Sequence, residues 1–313
     1  MKNKAVILAA LLTISNVYSS EIDPFNNRST PLEDSLTAVN TKANSLMKEA
    51  LSELNEKNHS CSEKKLYKKM RKVFRNQYTS TFGKWIVKTD TLDKMTTNTS
   101  ESIYKEFKWY QAIIPGLWAK INDPAGQIIN VGGVLVGTDK FEHFSGSGYL
   151  YFKKYYLKGK TLEDAMNIGY KAETGIMGAT MTGVMSFGDM VANFNGMRFW
   201  NTMLGKNVDV LTKEEVSPYL SCVDNKWEIQ REVDFSEYID HAWDEGINCS
   251  WMRTESLLRK VKDRIQEYND KTGENLGCPL NVEALEKDGE KYKDLPIQII
   301  NYDGLQALKS MKD

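Results

Sequence analysis

From Gly137 to Leu204 the chain carries glycine at 146, 148, 169, 175, 178, 183, 188 and 196, among small and apolar residues at helical spacing. Glycine inside a helix costs about 1 kcal/mol relative to alanine. A segment that keeps so many is therefore organised around close backbone approach rather than helix propensity. Gly175, Ala179 and Gly183 recur every four residues and predict one smooth helical stripe for a neighbouring helix. Helices are expected over 139–158, 161–181 and 187–204. Before them, the β-branched run 127–136 (QIINVGGVLV) predicts a hairpin through Gly132-Gly133.

Helical periodicity extends beyond this core. Leu36, Val39, Ala43, Leu46, Met47, Ala50 and Leu54 mark a helix over 36–54. In the basic stretch 64–75, Leu66, Tyr67, Met70, Val73 and Phe74 form an apolar side and the lysines solvate the other. Further helices are expected over 100–120, 233–246 and 250–268. The predicted fold class is mainly α: a soluble helical domain with a short β-hairpin before a glycine-rich three-helix core. The chain divides into a signal peptide (1–19), an N-terminal helical region (20–126), the hairpin and core (127–205), C-terminal helices (206–277) and a charged, loosely packed extension (278–313).

Lys2 and Lys4, the apolar run 5–14 and the small-residue site Val17-Tyr18-Ser19 form an export signal. Its apolar run is too short to span a bilayer, and Glu163, Asp164, Lys171, Glu173 and Asp189 interrupt any spanning run in the core. No transmembrane segment is expected in the mature chain, which is placed in the periplasm or secreted. In an oxidising compartment the even count of cysteines, Cys61, Cys222, Cys249 and Cys278, predicts two disulfides. Of the three pairings open, Cys61 with Cys222 and Cys249 with Cys278 is the expectation, although spacing does not fix connectivity. No zinc spacing is present, and no metal or other cofactor is expected. A net charge of −1 leaves no basic field for nucleic acid.

Polar side chains punctuate the glycine-rich core. Lys140, His143 and Ser147 share a face of its first helix, with Asp139 one turn before His143. Glu173 stands on an otherwise small or apolar stripe of the second, so its carboxyl is expected to be buried. It must then meet Lys140 or His143, or be held protonated. In the third helix Ser186 and Asp189 form an S-x-x-D capping pair, and Asn193 and Gly196 continue the same face. Glu142 is placed about 100° from His143 and is expected to be solvated.

The pattern D-K-x-x-H-F, then an acidic residue among small ones, then S-x-x-D-x-x-x-N-x-x-G resembles the shared core of the YfiM-like and VanZ-like families. Here it is carried by Asp139, Lys140, His143, Phe144, Glu173, Ser186, Asp189, Asn193 and Gly196, about a fifth of the chain. VanZ-like proteins are membrane-embedded, which the charges above do not permit here. The arrangement of leader, helical preface, core and a later W-D-E-x-x-N-C stretch (Trp243, Asp244, Glu245, Asn248, Cys249) also resembles the exported deacetylation-specific (DslA-type) lysozymes of predatory bacteria.

That second resemblance implies hydrolysis of peptidoglycan or another envelope glycan, with a protonated acid beside the leaving oxygen. Glu173 is the expected general acid, with apolar neighbours Ala172, Ile176 and Met177 raising its pKa. Glu142 is the competitor. His143, Lys140, Asp189 and Asp139 complete the expected catalytic group, with Tyr149, Ser147, Ser186 and Asn193 on the substrate side. Tyr151, Tyr155, Tyr156 and Tyr170 are further candidates for a sugar-binding wall, as are Trp109, Trp118 and Trp200. The alternative is a non-catalytic envelope protein whose buried polar cluster fixes the helices in register.

Overall fold

The computed structural model describes residues 21–56, 61–98, 100–108, 110–112 and 126–308. The expected signal peptide lies outside them, as do His59, Trp109, Trp118 and much of the helix expected over 100–120. The described fold is mainly α, and no helix in it is long and apolar enough to cross a membrane.

Two amphipathic helices, α1 (Leu36–Glu56) and α2 (Glu63–Phe74), pack their predicted apolar sides together, followed by α3 (Thr81–Lys88), capped by Ser80. The hairpin forms as expected: β1 (Ile128–Val131) pairs antiparallel with β2 (Val134–Gly137), with Gly132 and Gly133 at positive φ in the turn. A continuous helix, α4 (140–157), follows. It alternates α-turns, Lys140–Glu142 and Gly148–Phe152, with wider π-type segments, His143–Ser147 and Lys153–Leu157. Helix α5 (Leu162–Thr174) is capped by Thr161, and a π-type turn, Ile176–Thr180, leads to β3 (Val184–Met185). Helix α6 (Phe187–Thr202) is buried along its whole length.

The close helix approach falls elsewhere than expected. Gly175 ends α5 and Gly183 has φ +83°, so Gly175, Ala179 and Gly183 share no helical face. The tight crossing is instead between α4 and α6. A Cβ on Gly148 would lie 2.6 Å from Gly196 Cα, and a Cβ on Gly196 would fall on the Phe144 carbonyl.

Beyond α6 the expected helices are partly replaced. A second hairpin, β4 (Leu220–Val223) with β5 (Lys226–Ile229), turns through Asp224-Asn225, both at positive φ, as a two-residue hairpin turn requires. The helix expected over 233–246 is two 3₁₀ turns, Phe235–Glu237 and His241–Trp243. The Asp234 and Asp240 side chains accept the backbone N–H of Ser236 and Ala242, competing with helical bonding. Short β6 (Trp251–Met252) pairs antiparallel with β3, and α7 (Glu255–Thr272) starts at its Thr254 cap. The C-terminal region expected to be loose carries α8 (Val282–Tyr292), and Leu285, Tyr292, Ile299 and Ile300 lie in the main core.

Both disulfides form with the expected pairing, Cys61–Cys222 and Cys249–Cys278. The first joins the loop before α2 to β4. The second holds the segment after Glu245 to the chain entering α8.

Candidate functional site

Three of the expected residues are delivered by consecutive backbone. β2 ends at Gly137, Asp139 precedes α4, and Lys140 and His143 lie in its first turns. Lys140 is completely buried. Its ammonium lies 3.0 Å from Asp139 Oδ2, 2.6 Å from Asp189 Oδ1 and 2.7 Å from Glu245 Oε1. Three carboxylates therefore surround the three protons of one lysine. His143 Nε2 lies 3.1 Å from Asp189 Oδ2, which makes Asp189 the link between the lysine and the histidine.

Ser186 shows how the fold concentrates polar groups here. As the N-cap of α6, its Oγ accepts the Asp189 N–H at 3.0 Å, as the S-x-x-D spacing predicts. The same Oγ donates to Glu245 Oε1 at 2.5 Å, and the Ser186 N–H points to Glu173 Oε2 at 3.4 Å. Serine capping and participation in the cluster are one arrangement. Asp189 also sits in the first turn of α6, where the helix dipole favours a negative charge.

Glu173 is buried, as expected, with 5% of its surface exposed. Its described contact is the Ser186 N–H rather than Lys140 or His143. Burial first, then the charges of Asp189 and Glu21, push its carboxyl well above the usual glutamate range, which favours the protonated form. Asp189 behaves oppositely. Burial works against its ionised form, but His143 and Lys140 outweigh that and hold it below the ordinary aspartate range. Burial likewise opposes the Lys140 ammonium, and the field of Asp139, Asp189, Glu245 and Glu21 overcomes it. Asp139 is pushed up by burial, only partly offset by Lys140.

Glu142 departs from expectation. It is half-buried, close to the Gln77 backbone N–H, and burial raises its carboxyl to about 8. The helical wheel placed it away from His143 without accounting for the loop at 76–80, which covers that side.

The expected substrate-side residues separate. Ser186 belongs to the cluster. Asn193 lies one turn further along α6, beside Gly169 and the Tyr151 phenol; a side chain at 169 would collide with both. Tyr149 packs against Tyr67, Phe152 and Trp200, with the Arg71 guanidinium 4.4 Å from its ring centre. Ser147 is half-buried at the end of the π-type segment. Tyr151 and Trp200 are core residues. Ile176 and Met177, expected around Glu173, lie outside the described side chains.

Two carboxylates were not singled out from the sequence. Burial raises Glu245 to about 7, against the pull of Lys140. The half-buried Glu21 enters from the N-terminal segment; enclosure of its carboxyl, then Glu245 and Asp189, raise it, while a hydrogen bond with Thr182 opposes. Every residue of the W-D-E-x-x-N-C stretch has a structural task. Trp243 Nε1 donates to the Tyr238 carbonyl. Asp244 accepts both Nη atoms of Arg28, and Glu245 holds Lys140. Asn248 donates to the Ala242 and Ile299 carbonyls, and Cys249 is in a disulfide. The density of polar residues in the W-D-E-x-x-N-C stretch is the sequence signal for Glu245.

Asp139, His143 and Asp189 each offer a ligand atom within 4.8 Å of the others, a spacing that suits a metal ion. The Lys140 ammonium, however, is already on Asp139 and Asp189, so the site carries its own cation. Compared with family models, curated proteins and solved structures, the chain matches none. Its functional reading rests on the cluster itself.

Proposed function

We propose that this is an exported cell-envelope protein that hydrolyses glycan strands of peptidoglycan, with Glu173 as general acid. One observation carries the reading: within a single buried cluster, the surroundings raise the Glu173 carboxyl well above the usual glutamate range and hold Asp189 below the ordinary aspartate range. Carboxyls whose environments push their pKa values apart are what acid-assisted glycoside cleavage requires. The two disulfides support the compartment, and the resemblance of the whole-chain arrangement to deacetylation-specific lysozymes supports the substrate class.

In the proposed reaction the Glu173 proton passes to the glycosidic oxygen as the C1–O bond breaks. The positive charge growing on the sugar is offset by the ionised carboxylates around Lys140. Water then adds at C1 as one of its protons passes to the Glu173 carboxylate, which restores the acid for the next turnover. Lys140 keeps the carboxylates around it fixed, and His143 orients Asp189.

The second reading, a non-catalytic envelope protein with a structural cluster, is favoured by the complete burial of Lys140 and the three carboxylates within 3.0 Å of its ammonium.

Glu173→Gln decides between them. Glutamine mimics a protonated carboxyl, so stability should change little under either reading. Under the catalytic reading, release of muropeptides from acetylated or deacetylated peptidoglycan falls at least ~100-fold. If the unaltered protein cleaves neither substrate, the catalytic reading fails; if the variant cleaves normally, Glu173 is not the acid.

A further inference from the structure

Away from the cluster, the outward side of α4 exposes leucines and lysines together. Leu150 is 44% exposed and Leu157 53% exposed. Lys153 stands exposed between them, and Lys158 and Lys160 are exposed just beyond. Leu150, Lys153 and Leu157 are exposed along the C-terminal half of α4, and Lys158 and Lys160 follow directly where the helix ends. Beside it, Tyr156 donates to the Val208 carbonyl and accepts the Val210 N–H, placing the 50% exposed Val208 at the same edge. On the other flank, Tyr67 of α2 packs its ring 5.2 Å from Phe152, which brings the exposed Lys64 and Lys68 alongside. Glu63, the acid of this edge of α2, is ion-paired to Lys206. Glu163 and Asp164 lie in the first turn of α5.

The lysines alone would only solvate the helices. Exposed leucines ringed by lysines have a different chemistry: apolar side chains suited to the acyl boundary and cations suited to phosphate headgroups. We propose that this face, formed by the C-terminal half of α4, the loop at 206–210 and the start of α2, docks the protein on an anionic lipid bilayer. The charge complementarity selects phospholipid surfaces of negative charge, and the leucines select a bilayer over a soluble polyanion. The inference does not depend on the glycosidase reading.

The test is co-sedimentation of the purified protein with vesicles of phosphatidylcholine alone or with phosphatidylglycerol added. Binding to the anionic vesicles should fall steeply with salt, and neutral vesicles should retain little. Replacing Lys153, Lys158 and Lys160 by glutamine should weaken binding roughly 100-fold, taking about fivefold per lysine at the surface. Leu150→Ser with Leu157→Ser should weaken vesicle binding at least ~10-fold while leaving any retention on soluble polyphosphate unchanged. Failure to bind anionic vesicles, equal binding to neutral ones, or indifference to the leucine substitutions would each overturn the proposal. Should a variant fail to fold, amine-reactive labelling of the unaltered protein replaces it. Anionic vesicles must then protect Lys153 and Lys158, and unprotected lysines refute docking.

Discussion

Arg28 donates through Nη1 and Nη2 to the two carboxylate oxygens of Asp244, at 2.9 and 2.6 Å. The pair fastens the N-terminal segment to the residue preceding Glu245. Ile22 and Phe25 are buried in the same segment, and Asp23 accepts the Phe25, Asn26 and Ile103 N–H groups. Arg28→Ala leaves a buried carboxylate without its partner and should cost about 3–5 kcal/mol. Arg28→Lys, which keeps charge but not the bidentate fork, should recover only part of that. Thermal denaturation of both variants checks the order.

Lys140→Met gives the strongest expected destabilisation. It removes the cation shared by Asp139, Asp189 and Glu245 while preserving the length of the stem. The variant should lose about 3–5 kcal/mol or more at pH 7 and recover part of it near pH 5, where the carboxyls take up protons instead. A loss independent of pH would contradict this account of the cluster.

The pH dependence of the unaltered protein follows from Glu245 and Glu142, raised to about 7 and about 8. Both are protonated in the fold over a range where the unfolded chain ionises them, so the native state binds more protons. Their contribution to stability is complete below about pH 4.5 and is lost as pH rises through 7 to 8. Tm should therefore fall between pH 5 and pH 8, and Glu142→Gln should flatten the upper part of that fall. Asp189 acts at the other end: lowered in the fold, its contribution disappears only in strong acid.

Much of this arrangement is written locally in the sequence. The hairpin at Gly132-Gly133, the Ser186 cap and the apolar sides of α1 and α2 each follow from residues within one turn of one another. So does the burial of Glu173. Glu245, Glu21 and the covering of Glu142 do not. They depend on the β3–β6 pairing, the Arg28 contact and the loop at 76–80, which join residues far apart in the chain. The glycine pattern announced close packing but not its partners, because α5 breaks at Gly175 and moves the contact to Gly148 and Gly196.

Gly196→Ala tests that contact. The added methyl falls on the Phe144 carbonyl, which is backbone and has no rotamer by which to yield. A loss of about 1–3 kcal/mol is expected, measured by denaturant unfolding, with Gly277→Ala, where an added methyl meets nothing within 4 Å, as the control.

The disulfides should differ in strength. Cys61–Cys222 spans 161 residues and Cys249–Cys278 spans 29. Chain entropy assigns about 5 kcal/mol to the first and 3–4 kcal/mol to the second. Paired serine replacements, compared by thermal denaturation, should show the larger loss for the long loop.

The carboxylates around Lys140 come from residues 139, 189 and 245, with Glu173 and Glu21 joining from two further stretches. Except for the adjacent Asp139, each pairing closes a loop of chain whose entropy must be met before the contact returns anything. Helices α1 and α2 draw on neighbouring residues, whereas Glu245 meets Lys140 across more than a hundred residues of chain. A fragment ending at α6 would retain Asp139 and Asp189 for Lys140 but lack Glu245, the third carboxylate on its ammonium.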